Sequence, residues 1–332
     1  MKGRSAVAPT VTTTGTTHVT EHTVTVAAPP GTVYALVADV TAWPQVFGPT
    51  VHVEVLEEAR GEQLLHIWAF ANGEVRNWTS RRTLDPATHT ITFRQVVSAA
   101  PVASMGGTWR IQPDDDGGCR VVLLHDYRAV GDDPAAVALI EQAVDRNSRA
   151  ELEALKNAAE LAGRRQETTF TFSDSVEIEG AAADVFAFLD RADRWPERLP
   201  HVARLQLTEH EPGLQHLDMD TRSPDGSTHN TTSVRICFAD RAEIVYKQLR
   251  VPVAMAGHTG RWEITPHGPR GTGVTATSWH TVTLDPEGVR QTLGPEATLE
   301  EARTLVRTAL GTNSSTTLRH AKQFAEEAHA RT

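Results

Sequence analysis

The sequence predicts an α+β chain of two tandem domains. Each is a curved antiparallel sheet of about seven strands around one long C-terminal helix, with two short helices. Three observations predict this. The chain has 332 residues, and about 150 residues per domain suggests two domains. The halves repeat: HTVTVAAPPGTVYALVADVTAWP (22–44) aligns with DSVEIEGAAADVFAFLDRADRWP (174–196), VRNWTSRR (75–82) with THNTTSVR (228–235), PVASMGGTWRI (101–111) with PVAMAGHTGRWEI (252–264), and RNSRAELEALKNAAE (146–160) loosely with TNSSTTLRHAKQFAEE (312–327). Four matches in one order indicate duplication of one domain. Within each half, segments of period two precede a single long segment of helical period.

The elements follow in order. THVTEHTVTVA (17–27) alternates and is rich in Val and Thr, so it reads as a strand. Pro29, Pro30 and Gly31 end it. TVYALVADV (32–40) reads as a short helix and TAWPQVF (41–47) as another turn. From Val51 to Val130 six alternating segments are separated by turn signals at Ala59–Gly61, Asn72–Gly73, Asp85–Pro86, Pro101 and Asp114–Gly118. Asp133 is a candidate N-cap and Pro134 suits the first helical position. Val137, Ile140, Val144, Ser148, Leu152 and Leu155 then recur at helical spacing. Leu299, Ala302, Val306, Leu310, Thr317, Ala321 and Phe324 do the same in the second half. The expected domains are 1–163 and 164–332, with the junction near Gly163–Thr168. A sheet with one long helix must curve around it to bury the helix stripe, and the cavity between them suits a small apolar ligand.

Composition excludes several classes. Hydrophobic residues are 39% and charged residues 22%, and the formal net charge is −10 at pH 7, which disfavours a general nucleic-acid binder. No stretch approaches the roughly 20 apolar residues of a membrane span, and the N-terminus lacks the apolar core of a secretory signal. Cys119 and Cys237 fall in different halves and read as reduced, which places the protein in the cytoplasm. There is no G-x-S-x-G, P-loop or G-x-G-x-x-G opening a helix, and no zinc spacing. No metal, cofactor, nucleotide or covalent nucleophile is expected.

Side chains two apart share a strand face, so Arg76, Trp78, Ser80 and Arg82 point one way. Pattern alone leaves two readings, a solvated outer strand or a cavity wall. In the second half this face holds His229, Thr231, Ser233 and Arg235, with Thr in place of Trp. Asn147 lies beside the apolar helix stripe and needs a partner, and Asn313 repeats the position. Trp43 and Trp195 precede Pro and read as core anchors or cavity-mouth walls. His125 and Tyr127 share a strand face, with His280 the counterpart of His125, and a His there is an acid–base candidate or a satisfied strand residue. Tyr34 spaces with Val37 and Ala38, in the core or at the pocket. Met105-Gly106-Gly107 and Ala256-Gly257 suggest a bulge or a close backbone approach.

The β–α–α–β6–α order resembles the helix-grip fold shared by START lipid-transfer domains, Bet v 1 allergens and the polyketide cyclase/dehydrase group. The turn Val40-Thr41-Ala42-Trp43-Pro44, the strand Trp78-Thr79-Ser80-Arg81-Arg82 and Arg146-Asn147-Ser148-Arg149, in a duplicated chain, resemble the di-domain aromatase/cyclases of bacterial type II polyketide synthases. That resemblance implies an enzyme, without redox chemistry, that closes the first ring of a carrier-bound poly-β-ketone by aldol condensation and dehydrates it to an arene. It implies that Arg82 and Ser80, with Arg235 and Ser233 in the second half, are catalytic. A guanidinium there would hold a carbonyl oxygen and stabilise the charge that develops on it. Trp78, Asn147, Tyr34, Trp43, His125, Tyr127, His229 and Asn313 would bind substrate. The implied partners are an acyl carrier protein and other synthase subunits, the former met by Arg81 and Arg82, Arg146 and Arg149, and Arg164 and Arg165. The alternative is a non-catalytic carrier of an apolar molecule.

Overall fold

A computed structural model describes residues 15–71, 73–222, 226–267 and 273–331, with the backbone alone for 164–166. The first copy runs β1 (His18–Val26), α1 (Pro30–Ala38), a 3₁₀ turn into α2 (Trp43–Val46), β2 (Thr50–Ala59), β3 (Glu62–Ala71), β4 (Glu74–Asp85), β5 (Thr90–Val97), β6 (Val102–Pro113), β7 (Cys119–Ala129) and α3 (Pro134–Glu160). A short helix α4 (Ala162–Thr168) leads to the second copy: β8 (Thr169–Ile178), α5 (Ala182–Asp190), α6 (Trp195–Arg198), β9 (Val202–Glu211), β10 (Leu214–Arg222), β11 (Thr228–Phe238), β12 (Glu243–Arg250), β13 (Met255–His267), β14 (Gly273–Leu284), α7 (Pro286–Leu293) and α8 (Leu299–His329). Each copy is one seven-stranded antiparallel sheet, ordered β1-β7-β6-β5-β4-β3-β2 and β8-β14-β13-β12-β11-β10-β9. The expected α+β helix-grip architecture is present twice.

Local signals account for these elements. Pro30 opens α1 with φ pre-set for a helix. Asp133 caps α3 by accepting from the Ala135 N–H at 3.1 Å. Ile140, Val144, Leu152 and Leu155 are buried on its inner stripe. Thr298 and Glu301 form a reciprocal capping box at the start of α8. The same Asp-Pro signal starts α7, where Asp285 accepts from Glu287 N–H at 3.1 Å. The repeat had hidden this helix, because the first copy has no counterpart for it.

Glycines of the two aligned strands mark close approaches: Gly107, as expected, and Gly260, which the sequence reading did not name. A Cβ on Gly107 would stand 2.1 Å from the Leu124 carbonyl and 2.6 Å from the Phe93 ring. A Cβ on Gly260 would stand 2.3 Å from the Tyr246 hydroxyl and 2.4 Å from the Trp279 carbonyl. An aromatic ring from the neighbouring strand therefore lies over a glycine in each copy.

By contacts the chain forms two compact units. One takes the chain up to Ala38 and Glu54–Lys156, and the other takes Asp39–Val53 and the chain from Asn157 on. Within the second unit, Lys247 donates to the carbonyls of Phe47, Gly48 and Thr50 at 3.0, 2.7 and 2.8 Å. Three carbonyls around one buried ammonium satisfy all its protons. Among the described residues no helix is long and apolar enough to cross a membrane.

Candidate active sites

The site of the first copy is built on one row of cross-strand neighbours: Gln63 on β3, Arg82 on β4, Phe93 on β5, Gly107 on β6, His125 on β7 and Thr20 on β1. Cross-strand neighbours share a sheet face. That face is the one turned to the long helix, because Ser148 of α3 reaches His125 Nδ1 at 3.4 Å. Arg82 is 2% exposed. Its Nε donates to Gln63 Oε1 at 2.7 Å, its Nη1 to the Val37 carbonyl at 2.9 Å, and its Nη2 to the Ala38 carbonyl. The guanidinium thus ties down the last carbonyls of α1, which an isolated helix leaves unsatisfied.

Other expected residues surround this row. Tyr34 on α1 is half-buried. Burial raises its phenol pKa, and the Arg82 cation opposes that rise. Ser80 is buried and gives its hydroxyl to the Arg94 carbonyl at 3.2 Å. Trp78 is half-buried on the same face, opposite Ile67. Arg76 is exposed and pairs with Glu74. Tyr127 is buried, with His18 stacked on it at 5.5 Å. Asn147 is half-buried, and its neighbour Ser148 is the residue that continues the buried stripe. Trp43 lies in the second unit, edge-on to Phe47 at 5.6 Å.

Three further groups meet this interior that the sequence reading did not single out. Glu151 is one helical turn past Ser148 and one before Leu155, so it shares the inner face of α3. It is half-buried, and desolvation lifts its carboxyl to about 7. His22 on β1 holds Asp145 of α3 at 2.8 Å, and Arg149 and His22 together lower the Asp145 carboxyl to about 2. The Thr20 hydroxyl and His22 Nδ1 are buried and make no hydrogen bond. His125 stays neutral, its pKa lowered to about 4 by burial and by His22. An acidic residue between Ser148 and Leu155 was the available signal for Glu151.

The second copy repeats the row as Gln215, Arg235, Tyr246, Gly260, His280 and Phe172. Arg235 is 2% exposed and donates from Nη2 to the carbonyls of Leu189 and Asp190 at 2.9 and 3.2 Å. It lies over the Trp195 ring at 5.2 Å, and Trp195 Nε1 donates to the Phe188 carbonyl at 3.3 Å, which makes Trp195 an anchor. Ser233 is half-buried, His229 is exposed, and Asn313 is half-buried with its carbonyl accepting from Thr317 at 3.0 Å. Next to Arg235 stands a polar chain. Tyr246 and His280 Nδ1 are 3.0 Å apart, His258 Nε2 and His280 Nδ1 are 3.0 Å apart, Ser278 reaches His280 Nε2 at 3.1 Å, and His258 Nδ1 reaches Gln248 at 3.0 Å. Burial lowers His258 to about 3 and His280 to about 4.

A curved sheet turned to one long helix, with a guanidinium, an imidazole and other polar groups buried between them, defines a helix-grip protein with a polar interior. The pattern of the family described as polyketide cyclase / dehydrase and lipid transport matches residues 17–160 and again 169–323. The chain belongs to that family. It is 50% identical over 316 residues to the granaticin polyketide synthase bifunctional cyclase/dehydratase of Streptomyces violaceoruber, covering 94% of this chain and 96% of that one. Among solved structures it is similar to the di-domain ARO/CYC BexL of the BE-7585A biosynthetic pathway, with 51% identity, a TM-score of 0.84, and coverage of 93% and 99% of the two chains. The di-domain ARO/CYC StfQ of the steffimycin pathway follows at 36% identity and a TM-score of 0.81, covering 94% and 99%.

Proposed function

We propose that the chain takes a poly-β-ketone carried on an acyl carrier protein into the interior of the first copy and closes its first ring there. It is an enzyme of polyketide cyclisation and dehydration, since both halves match the family and the half-identical relative is a bifunctional cyclase/dehydratase. A carrier role without chemistry is not favoured. The observation that supports the site is a carboxyl, a neutral imidazole and a guanidinium on the two facing surfaces of one interior. The Glu151 carboxyl is poised near neutrality to take an α-proton from the chain. The C–H pair then makes the enolate that attacks a remote carbonyl, and the new alkoxide takes a proton back. Arg82 stabilises this negative charge through its field in a low-dielectric interior. It also fixes α1, and with it Tyr34. Trp78 supplies a flat wall.

The carrier protein and the other synthase subunits would be met electrostatically. Arg81, Arg146 and Arg149 are exposed and support this reading. Arg82 is buried away from such a surface, and the side chains of Arg164 and Arg165 lie outside the described residues. Binding to a carrier protein should weaken as salt rises, and binding insensitive to salt would refute the electrostatic part.

The test of the site is Glu151→Gln in a reconstituted synthase. The expected result is loss of the first-ring aromatic product by about 100-fold, the scale of general-base loss, with shunt products from spontaneous closure. A wild-type product profile would overturn the assignment.

A further inference from the structure

The two copies have kept one framework and diverged at its centre. In the first copy the Arg82 fork is closed by Gln63 and α1. In the second copy the Gln215 amide is drawn away to Asp190 Oδ1 and Glu209 Oε2, both at 3.1 Å. Arg235 Nε and Nη1 are left buried and without a hydrogen bond. Buried donors in this state are costly unless a ligand supplies an acceptor. Directly opposite Arg235 stands Tyr246, where the first copy has Phe93. Ser278 replaces Leu123, His258 replaces Met105, and Thr231 replaces the broad Trp78 at the aligned positions.

These replacements orient a proton. The Gln248 carbonyl oxygen accepts from His258 Nδ1, so His258 Nε2 is bare and accepts from His280 Nδ1–H. His280 Nε2 is then bare and accepts from the Ser278 hydroxyl. Tyr246 also meets His280 at Nδ1, so its oxygen shares that one N–H with His258 Nε2 and its own proton is left for another acceptor. Both imidazoles have pKa values far below neutrality, which keeps both rings uncharged at neutral pH.

We propose that the second copy is a separate binding and catalytic site for a cyclic β-hydroxyketone, in which Arg235 Nε and Nη1 and the Tyr246 hydroxyl hold the ketone oxygen while water is eliminated. The proposal rests on the cyclase reading above and divides the reaction between the copies. The α-proton passes to the oxygen of the departing β-hydroxyl, and the C–H pair forms an enolate whose oxygen sits on these donors. The enolate expels the β-hydroxyl, the C–O bond breaks as the C=C bond forms, and the hydroxyl leaves with the proton as water. No oxidant or reductant is involved. His258, His280 and Ser278 are positioning residues that aim the Tyr246 proton.

The experiment is product analysis of Tyr246→Phe with a reconstituted synthase. The first copy shows that a phenyl ring packs over the glycine at this place, so the variant should fold. The expected result is a fall of about 100-fold in the ratio of aromatic to hydroxylated-ring product, the effect of removing one preorganised donor. His258→Met, which installs the first copy's residue, should move the ratio the same way by a smaller factor. An unchanged ratio in either variant, with native circular dichroism and melting, overturns the proposal. If the wild-type chain itself does not change the synthase's product profile, the cyclase reading fails instead.

Discussion

Glu151 is held in a place that suits chemistry and costs stability. Its pKa is about 7 in the folded chain and near 4.3 when unfolded. A group whose folded value is raised stabilises the fold below its unfolded value, and that contribution is lost as pH rises through the folded value. Glu151→Gln should therefore raise stability at pH 8, by about 1–2 kcal/mol once partial solvent screening is allowed for, as a urea melt would read. The wild-type rate should rise with pH through about 7 as the base ionises, and the variant should lose that limb. Arg82 behaves oppositely. Arg82→Ala removes the donors to the Val37 and Ala38 carbonyls and should destabilise by about 1–3 kcal/mol. Arg82→Lys keeps the charge but not the fork and should recover part of this, read by thermal unfolding. In the sequence the alternation of β4 placed Ser80 and Arg82 on the buried face. It did not tell which acceptors would meet the guanidinium, because those are backbone carbonyls of another element and carry no residue signature.

At the scale of elements, the glycines set how closely neighbouring strands and rings approach. Gly107→Ala should shift Phe93 off its seat and bend β6 against β7, since the clash at 2.1 Å is with backbone. The expected loss is about 1–3 kcal/mol in a denaturant titration, with m unchanged. Order, number and type of the strands were legible because alternation and turn residues are local signals. So was α3, through Asp133-Pro134 and its stripe. α7 was not read, although Asp285-Pro286 carries the same signal, because the repeat gave no reason to look for a helix there.

Across the whole molecule, buried neutral histidines dominate the acid response. His125, His201 and His280 are depressed to about 4 and His258 to about 3, each chiefly by burial. Their unfolded value is near 6.5. Above that pH neither state is protonated and their contribution is whole. As pH falls below about 6.5 the unfolded chain gains protons that the folded chain refuses, and stability falls until about pH 3–4. The melting temperature should drop steadily from pH 6.5 to 4.5. His258→Met should flatten the drop, and a melting temperature constant over that range would contradict the burial of these rings.

The ties between strand and long helix differ in polarity between the copies. In the first, a strand imidazole, His22, meets a helix carboxylate, Asp145. In the second, a strand carboxylate, Asp174, meets a helix guanidinium, Arg307, at 2.7 Å. The residue aligned with Asp145 is Gly311, where a Cβ would stand 3.1 Å from Asp174 Oδ2. If α3 docked on the second sheet during folding, it would press one carboxylate against another at that point. If α8 docked on the first, His22 would face a glycine and lose its acid. A duplicated chain runs the risk that each sheet captures its sibling's helix. Here that misassembly is opposed by like-charge contact in one direction and an orphaned imidazole in the other, so the nascent chain can sort two similar helices by charge.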